Sequence, residues 1–161
     1  MILKANSKVL VLRFNNYKKW NFIEEHTRIL NSTKYVWILK AGKYIKEHQM
    51  EDVLKNGGNL ILKEPKKDGG KYYYLHICDF YNGNVGDEFN FPQYYYEMLD
   101  DYEYYTMEEL SGTWIKVDYL KQLENGLDKL RLISNDKGLD ETISSTRSAL
   151  LYAYSNTDIE I

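Results

Sequence analysis

Hydrophobic and polar positions change their period several times along the chain, and each change marks a predicted element. Residues 8–14 (Lys-Val-Leu-Val-Leu-Arg-Phe) are a short run of strand-favouring residues and predict a buried strand. Asn21 followed by Glu24 is a capping pattern, and Phe22, Ile23, His26, Ile29 and Leu30 recur at helical spacing, so a helix follows. Residues 35–40 read as a second strand. Met50, Val53 and Leu54 share one face of a short helix that Gly57-Gly58 would end. Residues 59–63 and 71–80 flank the turn-rich Lys66-Lys67-Asp68-Gly69-Gly70 and predict a β-hairpin.

Beyond that hairpin the pattern loosens. Residues 82–112 contain Asn-Gly-Asn, Phe-Pro and a Tyr-Tyr-Tyr run, with Thr106 and Glu109 as the ends of a capping box for a short helix. Strands are expected at 113–117 and 129–133, a single helical turn capped by Asp140, and a final strand at 148–154 with both faces apolar. Few helices and many mixed strands predict an α+β fold, a mixed and partly closed β-barrel with short flanking helices. No internal repeat or linker interrupts it, so residues 1–161 are read as one domain with an insertion at about 82–112.

Composition adds exclusions. No apolar run approaches the roughly 20 residues that span a bilayer, and one cysteine, Cys78, offers no internal disulfide. With no signal-peptide pattern, the expected compartment is cytoplasmic, with no membrane partner. His26, His48 and His76 are far apart, so no zinc spacing can be written; neither a metal nor a cofactor is expected.

Charge is unevenly distributed along the chain. Residues 1–71 carry 15 Lys and Arg against 7 Asp and Glu, a net of +8, whereas residues 72–115 carry 9 acids and no Lys or Arg, a net of −9. The overall −3 conceals this partition. Ten of the 16 tyrosines fall within 72–105, among those acids. An AT-rich coding bias would account for abundant tyrosine, but it would have raised lysine in the same window.

The element order resembles the PUA-like superfamily, which includes EVE, ASCH and YTH domains. Thr113-Trp-Ile-Lys-Val117, Leu127-Asp-Lys-Leu-Arg-Leu132, and Thr146-Arg-Ser-Ala-Leu150 running into Ser155–Ile161 are similar to the EVE arrangement of an aromatic strand, a leucine-rich connector, an Arg-led strand and a last helix. Leu12-Arg-Phe-Asn-Asn16 resembles the YTH pattern of a strand followed by a basic residue and asparagine, and Val36-Trp37 falls where these families place a pocket aromatic. The Gly-Val-Arg-Asn signature and the Gly-Asp that opens the EVE hairpin are missing, which leaves the ligand open. The resemblance implies a non-catalytic pocket for a flipped, modified base or a nucleotide-like molecule.

The residues supply candidates for that pocket. Tyr35, Trp37, Tyr74 and Trp114 offer flat π faces, and Asn15 and Asn16 can read a donor and acceptor pair on a base edge. Arg13, and Arg147 beside Ser148, could hold a phosphate through a bidentate fork. Lys40, Lys43 and Lys46 could extend a nucleic-acid surface, although a solvated lysine face is the commoner outcome. His76 and Cys78 alternate on a strand without the contact a nucleophile and base require, and no acid/base pair stands out, so no enzyme activity is expected. The alternative reading is a protein-interaction factor or inhibitor of phage or mobile-element counter-defence type. It would present Asp100, Asp101, Tyr102, Glu103, Tyr104 and Tyr105 to a basic protein partner.

Overall fold

The computed structural model describes residues 1–101 and 111–161, and of Asp100 the backbone only. Tyr102, Glu103, Tyr104, Tyr105 and the expected helix between Thr106 and Glu109 lie outside the described residues. The fold is α+β, with a seven-stranded mixed sheet and a few short helices. The elements are β1 (Ile2–Leu3), β2 (Val9–Arg13), α1 (Phe22–Thr33), β3 (Val36–Ala41), α2 (Glu47–Lys55), β4 (Asn59–Lys63), β5 (Tyr72–Asn84), α3 (Tyr95–Asp101), β6 (Ser111–Gln122), β7 (Leu130–Leu132), α4 (Leu139–Ile143), β8 (Leu150–Ser155) and β9 (Ile159–Glu160). Hydrogen bonds order the large sheet β3-β6-β5-β4-β2-β8-β7, and among the described residues no pairing joins β3 to β7. None of the described helices is long and apolar enough to cross a membrane.

Contacts divide the chain into two compact units. One comprises Met1–Asn15, Glu51–His76 and Leu120–Ile161; the other comprises Asn16–Met50 and Ile77–Tyr119.

In the first unit β2 lies between β4, to which it runs parallel, and β8, to which it runs antiparallel. Val9, Leu10, Val11 and Leu12 are all buried, as a central strand covered on both faces requires, and this is why the sequence there is a continuous apolar run. β4 and β5 form the expected hairpin, paired from Lys63↔Tyr72 to Asn59↔His76. The Gly58 N–H donates to the Val53 carbonyl at 2.9 Å, closing α2 with both glycines at positive φ.

Two details of this unit correct the expectations. Gly138, not Asp140, precedes α4, and Asp140 lies within the helix, where its carboxylate accepts the Tyr72 hydroxyl at 2.8 Å. Burial and that carboxylate push the Tyr72 hydroxyl pKa upward. β8 is not the last strand, and its outer positions are only half-buried. The terminal segment that resembled a helix instead holds β9, which pairs antiparallel with β1 as a two-stranded sheet.

The second unit is built on β3 paired antiparallel with β6, from Val36↔Val117 to Ala41↔Gly112. α1 begins where Asn21 Oδ1 accepts the Glu24 N–H at 2.9 Å, and Asn16 Oδ1 accepts the Phe22 N–H at 2.8 Å. Its inner face carries Phe22, His26 and Leu30. α3 lies in the stretch expected to be irregular and contributes Tyr95 and Leu99 to the core. His26 is fully buried; its Nδ1 donates to the Phe22 carbonyl at 2.7 Å, which leaves Nε2 to accept the Tyr95 hydroxyl at 2.7 Å. Burial lowers the His26 pKa to about 4, against a smaller opposing effect from the Phe22 carbonyl, and it raises that of Tyr95.

Candidate functional site

The aromatic residues of the second unit converge on one cluster. Trp37 on β3 and Trp114 on β6 pack with Tyr94, Tyr95 and Leu99, and Phe89 and Phe91 close the cluster from the segment after β5. Trp114 is wholly buried, its ring 5.7 Å from that of Phe89 and 5.6 Å from that of Phe91. Its indole N–H has no hydrogen-bond partner among the described residues. Trp114 is therefore core and lines neither of the cavities described next.

Trp37 is different. It borders a cavity of about 620 Å³ whose other walls include Tyr35, Tyr81, Phe89 and Lys116. The Phe89 ring lies flat on the indole, with centroids 3.9 Å apart and planes at 10°. That is the geometry a heteroaromatic base adopts on an aromatic platform. Tyr81 meets Phe89 edge-on at 5.9 Å, and the Lys116 ammonium stands over the Tyr35 ring, 4.3 Å from its centroid. Asp79 and Glu88 are also among the residues that line this cavity.

The segment carrying Phe89 is tied to β3 by its neighbour. The Asn90 carbonyl accepts the Trp37 N–H at 2.9 Å, while Asn90 Nδ2 donates to Thr33 Oγ1 at 2.7 Å and to the Tyr35 carbonyl at 2.9 Å. On the other side of this segment lies a second cavity of about 480 Å³, walled partly by Arg28, Ser32 and Thr33 of α1. Val85, Gly86 and Phe89 line both cavities, so a single short segment separates them.

Of the candidates drawn from the sequence, Tyr35 and Trp37 line the larger cavity. Asn15 is exposed, and Asn16 uses its side-chain oxygen to start α1. Tyr74 is buried, its hydroxyl donating to Asn59 Oδ1 at 2.6 Å. Arg13 donates to three backbone carbonyls, those of Ser148 at 3.1 Å, Thr146 at 2.6 Å and Ile143, and so organises the turn after α4. Ser148 enters that arrangement through its backbone, and Arg147 is exposed beside it. Neither arginine lines a described cavity. Lys40 donates to the Lys43 carbonyl at 2.6 Å, and Asp101 pairs with Lys18 at 3.1 Å. Among the described residues, no group of three or more His, Cys, Asp or Glu could hold a metal ion.

Sequence reasoning missed Phe89, Tyr81, Lys116, Asp79 and Glu88. One signal was available: Asn82-Gly83-Asn84-Val85-Gly86 gives the chain room to double back, and it precedes the aromatic pair Phe89 and Phe91. The Cys78 thiol, also near this region, donates to the Lys116 carbonyl at 3.5 Å, and burial raises its pKa, which is the wrong direction for a nucleophile. No family model matches the chain, and no curated protein or solved structure matches it.

Proposed function

We propose that the chain is a non-catalytic binding module, PUA-like with a partly closed barrel, whose cavity beside Trp37 takes the flat ring of a nucleobase. The base would be free, in a nucleoside or nucleotide, or flipped from a modified nucleic acid in the cytoplasm. The observation that carries this reading is the Phe89 ring stacked on Trp37 at 3.9 Å in a cavity of about 620 Å³. Phe89 occupies the face a base would use, and Tyr35 and Tyr81 provide further aromatic wall. Binding exchanges one stack for another, so its net cost is small. Nε and Nη2 of Arg13 donate to backbone carbonyls and Arg13 lines neither cavity, which favours recognition through the ring over recognition through phosphate.

Phe89 therefore competes with the ligand, and removing it has an unusual sign. A stack of this kind is worth about 0.5–1.5 kcal/mol, so Phe89→Ala should tighten binding of a nucleoside by about two- to tenfold. Tyr81→Ala, which removes an exposed ring from the wall, should weaken it by about fivefold or more. Isothermal titration of adenosine, guanosine, cytidine and uridine into each protein, with thermal melts to verify folding, decides the matter. Absence of heat with all four nucleosides in wild type and in Phe89→Ala rejects the proposal.

A further inference from the structure

We infer that the cavity beside Trp37 prefers a cationic aromatic ring, such as an N-alkylated nucleobase, over a neutral base and over an anionic nucleotide. This deepens the base-binding reading and rests on it. Three charged residues line the cavity. Asp79, Glu88 and Lys116 are among its lining residues, a formal balance of −1 beside Tyr35, Trp37, Tyr81 and Phe89, and Asp79 Oδ1 accepts the Phe80 N–H at 2.8 Å. A triphosphate entering there would meet more like charge than opposite charge.

The ammonium does not offset both acids from the middle of the cavity. Lys116 Nζ rests on the face of Tyr35, 4.3 Å from its centroid, so this wall already holds a cation on its π cloud. Tyr81, nearly half exposed at 47%, remains available as a face, and Trp37 joins it when Phe89 gives way. A ring with a delocalised positive charge gains from these faces in two ways, by stacking and by attraction to the ring quadrupole, and Trp is the strongest partner for the second. Glu88 lines the same cavity, and both of its carboxylate oxygens lie 3.1 Å from where a Cβ on Gly86, another lining residue, would stand, so its charge sits at this wall. A neutral base has the stacking alone.

The experiment compares 1-methyladenosine, cationic at pH 7, with adenosine and ATP on the full chain by isothermal titration at low and at 0.5 M NaCl. The expected result is about tenfold tighter binding of 1-methyladenosine than of adenosine, with ATP weaker than adenosine. That ratio should shrink in high salt and fall below about threefold in Glu88→Gln, which separates the charge of the ligand from the bulk of its methyl group. If adenosine binds but 1-methyladenosine is no tighter, or ATP is tighter than adenosine, the charge preference is overturned while base binding stands. The same holds if Glu88→Gln leaves the ratio unchanged. If none of the three binds, both readings fall together.

Discussion

Replacing Gly112 with alanine should destabilise the protein by about 3 kcal/mol, the upper end of the usual cost of overpacking. Gly112 faces Ala41 in the β3–β6 ladder. A Cβ added there would lie 2.2 Å from the Lys40 carbonyl oxygen and 2.9 Å from the Ala41 Cα. Both are backbone atoms of the partner strand and cannot rotate away, so the strands must separate locally. The same pairing holds Trp37 opposite Lys116, and the variant should therefore also lose ligand affinity. Gly42→Ala is the internal control. A Cβ at Gly42 meets nothing within 4 Å, and only its φ of +88° makes a side chain costly, by about 1–2 kcal/mol. Urea denaturation of the two variants beside wild type should rank Gly112→Ala well below Gly42→Ala; equal midpoints would contradict the close approach of the strands.

The second large effect is on pH dependence. His26 has a pKa of about 4 in the folded protein against 6.5 for an ordinary histidine, because burial disfavours its charged form. Between these values the unfolded chain binds a proton that the folded chain does not. Stability due to neutral His26 is therefore fully present above about pH 6.5 and is lost as pH falls towards 4, by about 3 kcal/mol in all and about 2 kcal/mol by pH 5. Protonation would also remove the acceptor that Nε2 offers the Tyr95 hydroxyl. Urea melts from pH 7.5 to 5 should show wild type weakening on acidification and His26→Gln weakening much less. His48 and His76 remain in the variant, so the difference in slope belongs to His26. Parallel slopes would mean that the imidazole is not held neutral.

Much of the strand framework was readable because local pattern and tertiary environment agree. The run 9–12 is apolar at every position because β2 is a central strand, and Asn21 with Glu24 marks the start of α1 because an N-cap is a short-range device. Elements whose existence depends on distant partners were not readable. β1 and β9 are two residues each and are defined by pairing between the two ends of the chain. α3 was hidden in a tyrosine run, where Tyr95 and Leu99 take their helical meaning only from packing on His26 and Trp37. The two units escaped notice for a related reason: the chain passes between them after Asn15, Met50, His76 and Tyr119, with no linker at any of these points.

The site followed the same rule. Tyr35 and Trp37 could be selected because flat aromatics on a strand are visible in sequence, and they do border the cavity. Arg13 looked like a phosphate ligand because its side chain is a strong donor, but a residue type does not reveal which acceptors reach it, and here three carbonyls do. Phe89 carries the proposed function through a stacking contact with a residue more than 50 positions away, and no local pattern encodes such a contact.

The claim that the cavity beside Trp37 is a ring-binding site is tested most directly by residue-resolved NMR. A ¹H–¹⁵N spectrum of the protein titrated with 1-methyladenosine should move the Trp37 indole, Lys116 and the amides of residues 85–89, with the Trp114 indole responding through its contact with the Phe89 ring, and leave Arg13 and Arg147 nearly still. A spectrum that does not change, or one whose largest shifts fall on Arg13 and Arg147, would contradict the account.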